Sequence, residues 1–198
     1  MDTYTINLTK QGMVLRLPIH PVPGTGISIA VFDVMGQVQA MHRLMRLLAD
    51  RLENQDLISD DTILVAPEFK AVPLVHELAS LIHLDYVALR KHRKLWAGEG
   101  FSEKVRSITT PEEQTLWLYD QDVRRIAGKR VILFDDVIST GATLSAMYRL
   151  VRSLAEVSAA ACVLTEGPEK DHLWYIEQSL GAWPIVSLGH IPLFTTGG

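Results

Sequence analysis

Residues 131–144 read Val131-Ile-Leu-Phe-Asp135-Asp136-Val-Ile-Ser139-Thr140-Gly141-Ala142-Thr143-Leu144, and this order of residue types predicts a strand, a turn and a helix. The uninterrupted apolar run at the start is typical of a strand buried on both faces of a parallel sheet. Small and hydroxylated residues then lead into a helical pattern. Gly141 permits a tight turn, and hydroxyl groups beside the free N–H groups of a helix N-terminus are typical of a phosphate-binding turn.

Two adjacent carboxylates, Asp135 and Asp136, stand between the strand and the turn. Carboxylates repel phosphate, but they accept hydrogen bonds from the hydroxyls of a ribose, and they suit the neighbourhood of a magnesium ion that phosphates hold. The acids and the turn together therefore predict a site that holds a sugar phosphate by both ends, with the phosphate on the turn and the hydroxyls on the acids.

Strand and helix patterns alternate on both sides of this stretch. Apolar runs predict strands at Ile27–Val34, Thr62–Ala66, Tyr86–Leu89, Gln114–Tyr119, Ala159–Leu164 and Pro184–Leu188. Apolar residues three and four positions apart predict helices at Val38–Leu52, Val72–Leu81, Leu144–Ala155 and Asp171–Leu180. This alternation predicts an α/β fold with a mostly parallel central sheet flanked by helices, whose ligand site lies beyond the carboxyl ends of the strands.

Two segments fall outside the alternation. At the N-terminus, Tyr4–Leu8 and Val14–Leu17 predict a short hairpin, and the prolines and glycines of Pro18–Gly26 predict an extended connector. Lys91–Glu113 has little apolar periodicity and is predicted to be a long loop. Loops of that length in a compact domain tend to be lids or binding loops.

The composition narrows the class of protein. A chain of 198 residues fits one domain, 1–198, and its net charge of −4 disfavours a protein that grips nucleic acid through its phosphates. The single cysteine excludes a disulfide within the chain. Neither a signal peptide nor an apolar run of membrane-spanning length is visible, so we expect a cytoplasmic protein with no membrane contact.

The 131–144 stretch resembles the phosphoribosyl pyrophosphate (PRPP) binding motif of the type I phosphoribosyltransferases. That motif is an apolar strand, two acids, two apolar residues and a turn rich in threonine and glycine. The glycine–lysine pattern of a P-loop and the three-glycine dinucleotide pattern are both absent from the sequence. Two upstream segments, Val65–Ala71 and Arg90–Leu95, resemble the adenine phosphoribosyltransferase subgroup, which carries Glu-Ala-Arg-Gly and then Arg-Lys-x-x-Lys-Leu.

The resemblance implies a role for each matching position. Asp135, Asp136 and Lys91 would be catalytic, with the two acids also near Mg²⁺, mainly through PRPP. The phosphate of PRPP would bind Ser139, Thr140, Gly141, Ala142 and Thr143. The pyrophosphate would bind a turn that often contains a non-proline cis peptide, together with the basic segment that follows: Glu68, Phe69, Lys70, Ala71, Arg90, Lys91 and Lys94.

The base side and the assembly are also implied by the resemblance. Val31, Phe32 and Val137 would contact the purine. Ser107, Thr109, Thr110, Glu112 and Glu113 would belong to the flexible loop. Residues 1–26 and 185–198 would form a hood and tail over a core of residues 27–184, and the protein would be a homodimer.

The sequence departs from the subgroup's pattern at three places. Lys70 replaces an arginine, Ala71 replaces a glycine, and the long loop lacks the subgroup's Tyr-x-Leu-Glu-Tyr-Gly segment. Its Ser/Thr-rich sequence resembles xanthine-type relatives and PRPP-sensing regulators instead. The favoured interpretation is a purine phosphoribosyltransferase, with adenine first and a 6-oxopurine second. A catalytically silent PRPP-binding regulator and a transferase for another acceptor stay open, and turnover with a panel of free bases separates them.

Overall fold

A computed structural model describes residues 2–8, 12–93, 100–107, 110–168 and 183–195. Its centre is a five-stranded sheet in the order β10-β9-β8-β4-β5, in which every neighbouring pair is parallel. The strands are β4 (Thr62–Pro67), β5 (Tyr86–Leu89), β8 (Arg130–Ile138), β9 (Glu156–Glu166) and β10 (Ile185–Ile191). The predicted α/β fold with a parallel central sheet is therefore confirmed.

Helices cover both faces of this sheet. Alternate side chains of β8 point to opposite sides, as strand geometry requires. Ile132 and Phe134 pack with α1 (Val38–Asn54) and α2 (Ala71–Leu81), whereas Val131 and Leu133 pack with α4 (Ala142–Val151). These β8 side chains are fully buried, which explains the continuous apolar run in the sequence. A short helix, α3 (Asp120–Ile126), was not predicted, because seven residues are too few to show a helical period.

A second sheet forms the hood, in the order β1-β2-β3-β11. Its strands are β1 (Thr3–Asn7), β2 (Val14–Val22), β3 (Ile27–Ala30) and β11 (Phe194–Thr195). The predicted boundaries between hood and core are therefore wrong in two strands. β3 belongs to the hood sheet and β10 to the core sheet, because each strand takes its hydrogen-bonding partners there.

The predicted connector at Pro18–Gly26 is also wrong, since β2 runs on to Val22. Pro18 pairs with Thr3 on β1, whereas Pro21 pairs with Ser28 on β3. Each half of β2 has a paired strand on one side only, so a proline ring can occupy the other side without breaking a ladder. The hood then packs on β10 at Gly189, where a Cβ atom would lie 2.7 Å from the Ile6 side chain.

The predicted long loop contains a two-stranded antiparallel hairpin, β6 (Gly100–Ser107) and β7 (Thr110–Tyr119). Val105, Leu116 and Leu118 are buried on the face that packs on α4, whereas Phe101 is half exposed. A two-stranded hairpin buries few side chains, so the sequence of β6 shows no clear alternation of apolar and polar residues. The predicted helix Asp171–Leu180 lies outside the described residues. Within the described ranges, no helix is long and apolar enough to cross a membrane.

Candidate active site

A cavity of about 600 Å³ opens at the carboxyl ends of the core strands. Its lining comes from the β4–α2 turn, Lys91 after β5, the end of β8 with the following turn, Glu166 on β9, the hood segment 29–32, and the hairpin. This is the edge where an open parallel sheet binds its ligands. A volume of this size holds a small organic molecule.

The acid pair lies at the end of β8, and both residues line the cavity. Asp135 is buried, and one of its carboxylate oxygens accepts a hydrogen bond of 2.9 Å from the backbone N–H of Asp136. Burial, and next the adjacent Asp136 carboxylate, raise the pKa of Asp135 well above its usual value. Lys91 acts in the opposite direction on that pKa. The pair is therefore a place where a nearby positive charge is favourable.

The turn after β8 brings all five predicted phosphate-binding residues to the cavity: Ser139, Thr140, Gly141, Ala142 and Thr143. Gly141 is left-handed, with φ 75° and ψ 5°, a conformation that glycine adopts without strain. It caps α4 without a side-chain hydrogen bond of its own, and the Ala142 N–H at the start of the helix donates to the Thr140 hydroxyl oxygen at 3.4 Å. The next N–H groups in the first turn have no acceptor within the helix and are available to an anion in the cavity.

The predicted pyrophosphate turn joins β4 to α2. Glu68, Phe69, Lys70 and Ala71 all line the cavity, and the Glu68–Phe69 peptide bond is cis. The implied non-proline cis peptide is therefore present. Phe69 is 67% exposed, so its side chain projects away from the core.

The carboxylate of Glu68 is held by the basic segment that follows β5. One oxygen lies 2.7 Å from Arg90 Nη1, and the other accepts the backbone N–H of Lys91 at 3.1 Å. Hydrogen bonding to Glu68 is the largest factor that raises the pKa of Arg90. Lys91 lines the cavity, whereas the Arg90 guanidinium is engaged with Glu68 and Arg90 is not among the lining residues. Lys94 lies outside the described residues.

The hairpin is tied to this basic segment by backbone and side-chain contacts. Arg90 and Trp117 exchange two backbone hydrogen bonds of 3.0 and 2.8 Å. The Tyr119 hydroxyl donates to the His92 carbonyl at 2.9 Å, and the Arg93 guanidinium lies 5.8 Å from the centre of the Trp117 ring. These contacts hold the hairpin against the residues on either side of Lys91.

The predicted loop residues are only partly described. Ser107 and Thr110 are register partners across the hairpin, and Glu112 and Glu113 lie on β7, whereas Thr109 is outside the described residues. The hairpin lines the cavity at other positions, with Val105, Gln114 and Leu116.

The hood side of the cavity is mostly apolar. Ile29–Phe32 line it together with Val137, so the three residues predicted to contact a base share one cavity. Sequence reasoning missed Glu166, which is buried in the same wall at the end of β9. The sequence does carry a signal for Glu166, because it is a carboxylate at the end of an apolar strand, as Asp135 is.

Comparison with known proteins gives a family for this geometry. The sequence profile described as "Phosphoribosyl transferase domain" matches residues 35–179. An adenine phosphoribosyltransferase of Thermotoga neapolitana is 32% identical over 152 residues, which are 75% of this chain and 85% of the relative. A hypoxanthine/guanine phosphoribosyltransferase of Methanococcus vannielii is 30% identical over 154 residues, 77% of this chain and 73% of the relative.

A relative of another kind is the purine biosynthesis transcriptional repressor of Bacillus subtilis. It is 25% identical over 160 residues, which are 81% of this chain but 53% of the repressor. Among solved structures, adenine phosphoribosyltransferase from Thermoanaerobacter pseudethanolicus has the same fold, with a TM-score of 0.70 and 24% identity over 88% of this chain and 95% of that one. The chain belongs to the phosphoribosyltransferase family and is a pentosyltransferase enzyme.

Proposed function

We propose that the enzyme transfers the 5-phosphoribosyl group of PRPP to a purine base, with adenine favoured, and gives a nucleoside monophosphate and pyrophosphate. The observation that carries the proposal is the order of groups along one edge of the sheet. Lys91 follows β5 and Lys70 follows β4. The acid pair lies in the last part of β8, the phosphate turn follows that strand, and the apolar hood lies beside β10. A sugar that carries an anion at each end and accepts a planar base matches this order.

The phosphate turn and the acids hold the ribose in this proposal. The 5-phosphate binds the N–H groups in the first turn of α4 and the hydroxyls of Thr140 and Thr143, whereas the Ser139 hydroxyl at the start of the turn donates to Glu166. Asp135 and Asp136 accept hydrogen bonds from the 2- and 3-hydroxyls. Substitution at the anomeric carbon then passes through a state with positive charge on the sugar, which the neighbouring carboxylates stabilise.

The donor set at the acid pair suits a magnesium ion bound mainly through PRPP. Among the described residues, no cluster of three or more histidine, cysteine, aspartate or glutamate side chains forms a closed metal site. Two adjacent carboxylates leave most coordination positions to water and phosphate oxygens, which is typical of magnesium. Asp135 and Asp136 are the residues that would stand next to the ion, and the bound ion would neutralise charge on the departing pyrophosphate.

The departing pyrophosphate is bound by the β4–α2 turn and by Lys91. Lys70 replaces a guanidinium with a point charge, which still binds phosphate but without two-pronged geometry. Glu68 acts as a positioning residue, since its carboxylate fixes Arg90 and the backbone of Lys91. The hairpin excludes water with Val105 and Leu116, which matters because hydrolysis of PRPP is the competing reaction.

Adenine is favoured over 6-oxopurines by the Arg-Lys-x-x-Lys-Leu match and by the adenine phosphoribosyltransferase relatives, whereas the hypoxanthine/guanine relative supports the second choice.

We further propose that residues 1–198 act as one domain in a cytoplasmic homodimer. Met35, three residues before α1, and Val38, the first residue of α1, are exposed and offer apolar surface for a second copy. Sedimentation of the purified protein measures that assembly.

A second candidate is a PRPP-binding regulator with little turnover. The similarity to the Bacillus subtilis repressor and the altered turn at Lys70 and Ala71 favour it. The acidic charge of this chain argues against direct binding to DNA.

Pyrophosphate release with PRPP and Mg²⁺ tests both candidates, with adenine, hypoxanthine, guanine and xanthine offered separately. We expect release with adenine at about 1 per second or faster. The double variant Asp135→Asn/Asp136→Asn should fold and lose PRPP binding. Calorimetric binding of PRPP without release for any base would support the regulator, and full PRPP affinity in the folded double variant would refute the site.

A further inference from the structure

Glu166 is a buried carboxylate in the cavity wall to which the reaction outlined above gives no role. It ends β9, where its register partner is Ile191 on β10, and the preceding Thr165 pairs with both Ile138 on β8 and His190 on β10. Glu166 is 6% exposed, and it lines the same cavity as the acid pair. Because β9 lies between β8 and β10, Glu166 lies on the hood side of the acid pair, opposite to Lys91 and Lys70.

Among the described residues, the side-chain partner of the Glu166 carboxylate is the Ser139 hydroxyl. Burial raises the pKa of Glu166, and the hydroxyl of Ser139, which donates to its carboxylate, lowers the pKa in part. Within the described part of the chain, no lysine, arginine or histidine forms an ion pair with it. A buried carboxylate has several acceptor positions, and one hydroxyl fills one of them. The remaining positions are open to a ligand that carries N–H groups.

We propose that Glu166 selects the base by accepting a hydrogen bond from the exocyclic amino group of a purine bound between the hood and Val137. This inference rests on the proposed transfer reaction and adds the group that selects its acceptor. An exocyclic amino group, as in adenine, gives the carboxylate a donor. A 6-oxo group in the same position brings an acceptor oxygen against the carboxylate, which leaves both groups unpaired in a buried site.

The position along the sheet edge separates this role from the others available to a carboxylate. Phosphate is excluded as a direct partner because like charges repel, and the cations proposed to bind pyrophosphate lie two and three strands away, after β4 and β5. A base lies on the hood side of the ribose, where the buried Glu166 lines the cavity together with the apolar hood residues and Val137. Sites that hydrogen-bond a substrate group discriminate strongly against analogues that lack it.

The test compares wild type with Glu166→Gln and uses Glu156→Gln, at the exposed far end of the same strand, as the matched control. The glutamine keeps the volume and an acceptor for Ser139, but its amide can also donate to a 6-oxo group. We expect the ratio of kcat/KM for adenine to kcat/KM for hypoxanthine to fall at least tenfold in Glu166→Gln. PRPP affinity should stay within about threefold, and the control should match wild type in both measurements.

Three results would overturn the proposal. If folded Glu166→Gln keeps the wild-type ratio of kcat/KM for adenine to kcat/KM for hypoxanthine, Glu166 is only a structural partner of Ser139. The same conclusion follows if the variant loses PRPP affinity while this ratio stays unchanged. A wild-type preference for 6-oxopurines would overturn the role of Glu166 while the transfer reaction stands. If wild type turns over no base, the proposed function fails separately. Calorimetric binding of adenine and hypoxanthine to the PRPP-loaded protein then gives the same ratio test for Glu166.

Discussion

The substitution Gly141→Ala tests the phosphate turn through its backbone. Gly141 has φ 75° and ψ 5°, and an L-residue with a Cβ atom costs roughly 1–2 kcal/mol in that left-handed conformation. A loss of this size lowers the melting temperature of a domain near 200 residues by roughly 2–8 °C. If the turn relaxes to relieve the strain, the α4 N–H groups move away from the phosphate. Each charged hydrogen bond lost is worth about 1.5 kcal/mol, or about tenfold in PRPP affinity.

Gly128→Ala is the matched control for this substitution. Gly128 has φ +71°, lies between α3 and β8, and a Cβ atom there would meet nothing within 4 Å. Both variants should therefore lose similar stability in thermal unfolding, but only Gly141→Ala should lose PRPP affinity in calorimetry with Mg²⁺. Equal PRPP affinity in the two variants would refute the argument that the α4 N-terminus holds the phosphate.

Three further substitutions test the supports of the site. Glu68→Gln should raise the KM for PRPP about tenfold. It should change the free energy of unfolding by less than about 1 kcal/mol, since the Glu68–Arg90 ion pair is partly exposed. A KM equal to that of wild type would show that this ion pair does not position the basic segment. Arg149→Ala removes the 2.9 Å contact from α4 to Glu103 on the hairpin, and steady-state kinetics should show a lower kcat with less than about 1 kcal/mol of lost stability. Glu166→Gln should stabilise the ligand-free protein by about 1 kcal/mol at pH 7–8 in denaturant titrations. Burial raises the pKa of Glu166 when the chain folds, so the wild-type protein regains this stability as the pH falls towards the ordinary glutamate range. A difference in unfolding free energy between the two proteins that does not change with pH would show that the charge on Glu166 is not its cause.

The acid pair and phosphate turn were predictable because they are contiguous in sequence. Asp135 and Asp136 lie in the last part of one buried strand and the five phosphate-binding residues come directly after it, so their proximity in the cavity needs only that strand and its helix. Lys91 and Lys70 were also found, since each follows a strand of the same parallel sheet. In such sheets, strand ends meet at one edge, so a motif placed after a strand is also placed in space.

The parts that the sequence left open depend on pairing between distant segments. Glu166 comes into the site because β9 lies between β8 and β10, and its contact with Ser139 joins residues 27 positions apart in the chain. Arg90 carries the expected charge, but its pairing with Glu68 is visible only in three dimensions. The hairpin gains its order from cross-strand hydrogen bonds and from α4, which local periodicity does not report.

Product analysis measures whether this cavity joins a ribosyl phosphate to a purine. Purified protein is mixed with PRPP, Mg²⁺ and adenine, and the products are identified by mass and counted against time. The account predicts a nucleoside monophosphate and pyrophosphate in equal amounts, at about 1 per second or faster, with no product from the Asp135→Asn/Asp136→Asn variant. Pyrophosphate without nucleotide, or nucleotide formation undiminished in the double variant, would contradict it.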